Sequence, residues 1–148
     1  MADPIGNTTT DPDDHKTTYT YDAWGQMLTA TDAKGNSTVY NGFDPNGYPQ
    51  TITDADQKQT KFVYDGRGQV LKVTDALTHD TTQTYDTFGR PLVSRVAKDQ
   101  AANEWITIPA PVYDENDNII KSTAANGAVS SAQFDGADQM VHALAPPD

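Results

Sequence analysis

Apolar and polar positions alternate over short stretches of this chain, and each stretch ends at a cluster of turn-forming residues. The segment KFVY places Phe62 and Tyr64 on one face of a strand, with Lys61 and Val63 on the other. The next four residues, DGRG, are typical of a chain reversal. A second apolar stretch, QVLKVT, then reads as the return strand. The pattern therefore predicts a β-hairpin.

The same hairpin phrase recurs along the chain. An aromatic residue followed by Asp opens each copy, and the aromatic residues are spaced by 22, 21, 21, 28 and 21 residues. The pairs are Tyr21 and Asp22, Phe43 and Asp44, Tyr64 and Asp65, Tyr85 and Asp86, Tyr113 and Asp114, and Phe134 and Asp135. Three residues after each Asp stand Gly25, Gly47, Gly68 and Gly89, replaced by Asp117 and Asp138 in the last two copies. A regular period of this length indicates a repeat protein.

A second turn phrase lies about ten residues after each of the first three aromatic residues. It contains Thr-Asp followed by Gly35, Gln57 or Thr78. Each repeat therefore reads as strand, turn, strand, turn, which predicts an all-β fold of about twelve strands in an antiparallel hairpin meander. We expect the two kinds of turn to lie on opposite edges of this ribbon.

The repeated residues have structural duties in this interpretation. The aromatic residue ends a strand and packs against neighbouring strands, while the Asp carboxylate accepts hydrogen bonds from backbone N–H groups ahead of it. The Gly supplies the left-handed backbone conformation of a type I turn with a bulge, a conformation that Asp also adopts, though less readily. The six copies thus form one array of roughly 21-residue repeats over residues 1–148.

Composition adjusts this picture in two ways. Leu, Ile, Val and Phe number only 24 of 148 residues and the net charge is -11, which taken alone favours disorder. The evenly spaced aromatic residues argue against that alternative. Because only ten residues are Lys or Arg, the chain is a poor candidate for nucleic-acid or anionic-membrane binding. It has no Cys, no signal-peptide pattern and no apolar run of membrane-spanning length.

The phrase YDAWGQMLTATDAKGN, with its copies, resembles the YD-repeat or Rhs-repeat family. Members are large secreted or surface bacterial proteins, including polymorphic toxins and toxin-complex components, with related repeats in animal teneurins. The resemblance implies a β-ribbon that spirals into a hollow shell around a toxin or effector domain. This chain would be a wall segment with a structural role. Its partners would be the flanking repeats and the enclosed effector, and its location secreted or at the cell surface.

Two features depart from the regular pattern. The 28-residue spacing leaves seven extra residues in the stretch 97–112, which predicts an insertion or a long hairpin. The alternative for this stretch is a dedicated binding loop. The first and last residues fall inside a repeat, so we expect a fragment whose array is truncated at both ends.

Catalytic and metal chemistry find little support in the sequence. Asp114, Asn116 and Asn118 have the spacing of calcium-loop ligands, but Ile119 and Ala125 stand where that loop needs Gly and Glu. The three His residues are scattered, and Ser130 and Ser131 lack a neighbouring base. We therefore predict no catalytic residue, metal site or cofactor, and regard an enzyme as the weakest interpretation.

A binding module is the alternative to a shell segment. Trp24, Tyr48 and Trp105 could stack on sugars or on a partner protein, and the family resemblance also includes carbohydrate binding. Cross-strand packing is the commoner fate of such residues on a sheet. An isolated ribbon has open edges, so self-association through edge strands is a further expectation.

Overall fold

The strands of this protein follow directly from the alternating pattern of its sequence. The computed structural model describes residues 5–10, 16–99, 101 and 103–145, and it describes side chains from residue 16 onward. These residues contain fourteen strands and no helix. The strands are β1 (Ile5–Thr10), β2 (Lys16–Tyr21), β3 (Met27–Thr31), β4 (Ser37–Phe43), β5 (Pro49–Thr53), β6 (Gln59–Tyr64), β7 (Val70–Thr74), β8 (Asp80–Tyr85), β9 (Pro91–Asp99), β10 (Glu104–Ile108), β11 (Val112–Tyr113), β12 (Ile119–Thr123), β13 (Val129–Phe134) and β14 (Met140–Leu144).

The chain divides into two compact units, Met1–Thr78 and His79–Asp148. In the first unit β1 to β7 lie side by side in chain order, and each pairs antiparallel with the next. Short turns suffice for such a meander because each strand pairs with its immediate neighbour in sequence. The predicted all-β antiparallel meander is therefore confirmed.

The second unit contains two groups of strands. In the first group β8, β9 and β10 are neighbours, and in the second β11 to β14 form a separate four-stranded sheet in chain order. No strand covers residues 109–111, where Pro109 and Pro111 lack the N–H groups that a ladder requires. The meander is thus interrupted at these residues.

The described residues contain two strands more than the predicted twelve. Twelve strands flank the six aromatic–Asp turns, as the repeat predicts, and the two additional strands are β1 and β10. The strand β10 returns along the extended end of β9, with Trp105 opposite Ala97. Much of the stretch 97–112 therefore lies in a hairpin that projects beyond the regular repeat length.

Side-chain burial is shallow throughout the described residues. Ala97 is the one hydrophobic residue among them that counts as buried, and most strand positions are half-buried. In β6 the pattern alternates as expected, with Phe62 and Tyr64 half-buried and Val63 exposed. A single sheet layer has no second layer to close a core over it, so the ladders and cross-strand contacts carry the structure.

Candidate functional site

The recurring turns are the most regular feature of the molecule. In the turn that begins at Asp65, the Gly68 N–H donates to the Asp65 carbonyl at 3.1 Å and the Asp65 N–H to the Gln69 carbonyl at 2.9 Å. The Asp65 carboxylate accepts from the N–H groups of Arg67 and Gln69 at 2.8 and 2.9 Å. Gly68 has φ of 82°, the left-handed conformation of a type I turn followed by a bulge. We number these turn positions from one, Asp65, to five, Gln69.

This arrangement repeats with little change. The position-one carboxylate accepts from the N–H groups of positions three and five in the turns that begin at Asp22, Asp32, Asp44, Asp54, Asp65, Asp86, Asp114 and Asp135. In the turn that begins at Asp75, the carboxylate accepts from the Leu77 N–H at 2.9 Å. Each Asp therefore organises its own turn.

The sequence did not identify one further turn, which begins at Ala124. Its backbone hydrogen bonds match the others, with the Ala124 N–H donating to Ala128 at 2.8 Å and the Gly127 N–H to Ala124 at 2.9 Å. Ala124 has no carboxylate, and Asn126 Oδ1 accepts from the Ala128 N–H at 3.0 Å instead. Because this turn lacks the Asp, it did not match the repeat pattern. The signal that the sequence did offer is Gly127, which has φ of 86°.

Position four is left-handed whatever residue occupies it. Positive φ is found at Gly25, Gly35, Gly47, Gly68, Gly89 and Gly127, and also at Gln57, Thr78, Asp117 and Asp138. For Asp117 and Asp138 the φ values are 68° and 59°. Thr78 at 68° is the most strained of these, since a β-branched residue rarely adopts this conformation.

The turns fall into two classes. We call the turns that begin at Asp22, Asp44, Asp65, Asp86, Asp114 and Asp135 the aromatic turns, because each follows an aromatic strand end. The other turns, which begin at Asp32, Asp54, Asp75 and Ala124, are the second turns. In the first unit the two classes alternate along the meander, so the aromatic turns share one edge and the second turns the other.

The predicted aromatic residues occupy equivalent places. Each is the last residue of its strand and each is half-buried; they are Tyr21, Phe43, Tyr64, Tyr85, Tyr113 and Phe134. The Tyr64 hydroxyl donates to the Pro49 carbonyl at 2.9 Å, and the Tyr113 hydroxyl donates to the Pro91 carbonyl at the same distance. Both acceptors lie six residues after the aromatic residue of the previous repeat. The contact between repeats thus survives the longer spacing before Tyr113.

Successive aromatic turns also touch one another within each unit. The Tyr48 ring packs against Tyr64, with ring centroids 5.3 Å apart, and lies over the backbone of Gly68. Asn118 Nδ2 donates to Asp138 Oδ1 at 2.9 Å. In both cases position five of one turn meets position four of the next.

Arg90 makes the corresponding contact across the longer spacing. Its Nε donates to Asp86 Oδ2 and its Nη1 to Asp117 Oδ1, both at 2.6 Å. The guanidinium carbon lies 4.4 Å from the ring centroid of Tyr113 and 5.3 Å from that of Phe88. Two carboxylates and two rings therefore hold this side chain between consecutive aromatic turns.

Electrostatics within the turns follow from these hydrogen bonds. The side-chain hydrogen bond to Asp86 raises the pKa of Arg90 above its ordinary value, and the bond to Asp117 adds to the effect. Partial desolvation would raise the pKa of Asp86, but the hydrogen bonds from Arg90 and Phe88 together lower it below 3.8. For Asp32, the Asn36 side-chain hydrogen bond is the main cause of a lowered pKa. These carboxylates are charged structural acceptors.

The three candidate binding aromatics have different surroundings. Trp24 projects from the tip of a turn and is 86% exposed. Tyr48 is partly covered by its contact with Tyr64. Trp105 lies on β10, where its Nε1 donates to Asn103 Oδ1 at 2.9 Å. Each residue stands on a different element.

The candidate metal-binding residues take part in hydrogen bonds within and between turns. The amides of Asn116 and Asn118 donate to Asp138 Oδ1 at 2.8 and 2.9 Å, so the calcium-like spacing belongs to a turn contact. Within the described residues, no three His, Asp or Glu side chains group in a way that could hold a metal ion. His15 lies outside those residues. No helix long and apolar enough to cross a membrane occurs in the described part of the chain.

Comparison with known proteins connects these turns to a family. The model of the RHS Repeat family matches residues 3–37, 43–80 and 64–101, which together cover more than half of the chain. No curated protein matches the sequence.

Several solved structures share the fold. The TcdB2–TccC3–Cdc42 crystal structure matches with a TM-score of 0.72 and 21% identity, over 87% of this chain and 7% of the other. The Tc holotoxin pore of Photorhabdus luminescens matches with a TM-score of 0.73 and 21% identity, over 90% of this chain and 7% of the other. TcdB2–TccC3 without its hypervariable C-terminal region matches at 0.64 and 11% identity, over 93% of this chain and 10% of the other. This chain therefore spans a small part of those proteins.

Proposed function

Because the chain belongs to the RHS repeat family, we propose that it is a wall segment of a larger β-shell. The contacts between consecutive aromatic turns within each unit carry this proposal. Such a contact lets one repeat stabilise the next, as an extended wall requires. The shallow burial of the described side chains fits a layer that gains cover from other parts of a larger protein.

The proposed partners are flanking repeats and an enclosed effector or toxin domain. The similar structures include TcdB2–TccC3–Cdc42 and a Tc holotoxin pore with a mutation in TccC3. By analogy we place the longer protein outside the cell, as a secreted component. The role needs no catalytic residue, because it depends on shape and on the strongly negative charge of the wall.

Protease protection tests the enclosure. The longer polypeptide that carries these repeats would be digested under native conditions and again after unfolding in urea. We expect the enclosed segment to be cleaved only after unfolding. The control is the same segment expressed alone, which should be cleaved in both conditions. Equal cleavage of the native and unfolded long polypeptide would contradict the proposal.

A carbohydrate-binding or protein-binding adhesion module is the second candidate. A groove of about 320 Å³ lies beside Tyr64, with Asp44, Asn46 and Gln50 among its lining residues. An aromatic ring beside amide and carboxylate groups suits the hydroxyl-rich faces of sugars. A glycan array, followed by titration of Asn46→Ala, tests this candidate, with Asn116→Ala as the control at the same turn position. Retained binding by Asn46→Ala would exclude the groove.

We also propose that the isolated chain associates through strand edges. All five residues of β14 are exposed, including Met140, Val141 and Leu144. In β3, which follows the same class of turn but has strands on both sides, all five residues are half-buried. An open edge with apolar side chains is a template for pairing with another chain.

Sedimentation at increasing salt tests this association. The net charge of -11 opposes close approach, so larger species should appear as salt screens it. Val141→Lys should reduce association, whereas Gln139→Lys adds the same charge in an exposed turn and should change it less. A monomer that is indifferent to salt would contradict this proposal.

A further inference from the structure

We propose that position five of an aromatic turn and position four of the next can form a matched pair that selects which repeats stack on one another. Three such pairs are Tyr48 with Gly68, Arg90 with Asp117, and Asn118 with Asp138. The first pairs a bulky ring with a residue that lacks a side chain. The other two pair a donor with a carboxylate. Gln26 and Gly47 hold the same two positions without such a match, since Gln26 Nε2 would lie 3.4 Å from a Cβ added to the glycine. This selection concerns the order of the repeats and does not depend on what the shell encloses.

The glycine of the first pair is required by its neighbour as well as by its own backbone. A Cβ atom added to Gly68 would lie 2.3 Å from Tyr48 Cε2 and 3.1 Å from Tyr48 Cζ, far inside contact distance. At Gly25, which has the same φ of 82°, an added Cβ would meet nothing within 4 Å. Both glycines therefore adopt the left-handed conformation. Of the two, only Gly68 also lacks space for a side chain, because Tyr48 lies against it.

In the other two pairs, an Asp at position four accepts a hydrogen bond from the preceding turn. A non-glycine residue is strained at positive φ, yet Asp117 and Asp138 keep this conformation. Their carboxylates accept hydrogen bonds from the preceding turn, through Arg90 Nη1 at 2.6 Å and Asn118 Nδ2 at 2.9 Å. A charge-assisted hydrogen bond compensates for part of the strain. Where position four carries Asp, the preceding turn thus supplies its donor.

Mismatched combinations explain why such pairs are selective. In Gly68→Asp the new side chain would collide with the Tyr48 ring. Gly in place of Asp117 would leave the Arg90 guanidinium with one carboxylate instead of two. Because the pair joins two consecutive turns, it forms only when the repeats are stacked in the correct order and register.

A double-mutant cycle in the full chain tests the first pair. The variants are Tyr48→Arg, Gly68→Asp and the double variant, compared by urea unfolding and by amide exchange at the turn that begins at Asp65. Gly68→Asp alone should unfold at lower urea and exchange faster. In the double variant, the ratio of folded to unfolded protein should be roughly tenfold or more higher than in Gly68→Asp alone, because Arg removes the ring and supplies a donor. Gly25→Asp is the matched control, which Tyr48→Arg should not rescue.

A second cycle keeps the test decisive if Gly68→Asp does not fold. Asn118→Ala and Asp138→Gly remove the two members of an existing pair, and their combined effect should be smaller than the product of the separate effects. Independent effects in this cycle would overturn the proposal. Rescue of Gly25→Asp by Tyr48→Arg would overturn it as well, because it would show that Arg stabilises the sheet without regard to its neighbour.

Discussion

Removal of one hydroxyl group tests whether the aromatic residues connect repeats by hydrogen bonding as well as by packing. In Tyr64→Phe the ring remains, but the Pro49 carbonyl loses the donor that lies 2.9 Å away. Loss of one such bond costs about 1 kcal/mol of unfolding free energy. For a chain of this size, that corresponds to a fall of about 2 to 4 °C in the melting temperature.

The converse substitution provides the matched control. Phe43 ends β4 in the same repeat position as Tyr64, and the equivalent carbonyl of the previous repeat belongs to Met27. Phe43→Tyr should therefore add a hydrogen bond and raise stability by up to about 1 kcal/mol. Urea unfolding followed by circular dichroism measures both variants. The reasoning is wrong if Tyr64→Phe keeps the parent midpoint and Phe43→Tyr gains nothing.

The titration of Tyr64 gives an independent measurement of the same contact. Desolvation, followed by the nearby Asp44 and Tyr48, raises the pKa of Tyr64 above its ordinary value of 10.0. The protonated phenol, which can donate to Pro49, is therefore favoured in the folded state. Its contribution to stability is complete below about pH 10 and is lost as the pH rises through the raised pKa. Tyr64→Phe should weaken this alkaline loss of stability.

Three other predictions concern the turns. Thr78→Gly should raise the unfolding free energy by about 1 kcal/mol, because it relieves a β-branched residue at φ of 68°; a lower urea midpoint would contradict this. Gly68→Val should lower the midpoint far more than Arg67→Ala, since the exposed Arg67 lies at a position without positive φ, and equal losses would refute the turn assignment. The lowered pKa of Asp86 means that its contribution is complete above about pH 3.8 and is lost as the pH falls through the folded-state value. Urea midpoints across this acid range should therefore fall less for Asp86→Asn than for the parent, and identical slopes would exclude the effect.

The local structure of the repeats could be predicted from the sequence because each turn is formed by five consecutive residues. Asp65 accepts from its own turn and Gly68 supplies its conformation, so the letters DGRG carry nearly all the information. The aromatic–Asp pattern also located the aromatic turns that contain Asp117 and Asp138. It failed at Ala124, where the backbone forms the turn without the carboxylate that marks the others. The all-β meander then followed from the order of strands and turns.

Contacts between repeats depended on the tertiary structure. Arg90 and Asp117 are 27 residues apart, and no local pattern indicates that the hairpin of β9 and β10 projects away and leaves them in contact. Likewise, the clash that fixes Gly68 comes from Tyr48 in the preceding repeat. Apart from the turn at Ala124, the sequence by itself thus determined the turns, whose hydrogen bonds close within a few residues. Only the folded sheet decided which turns meet, because that depends on strand pairing and on where the extra residues are placed.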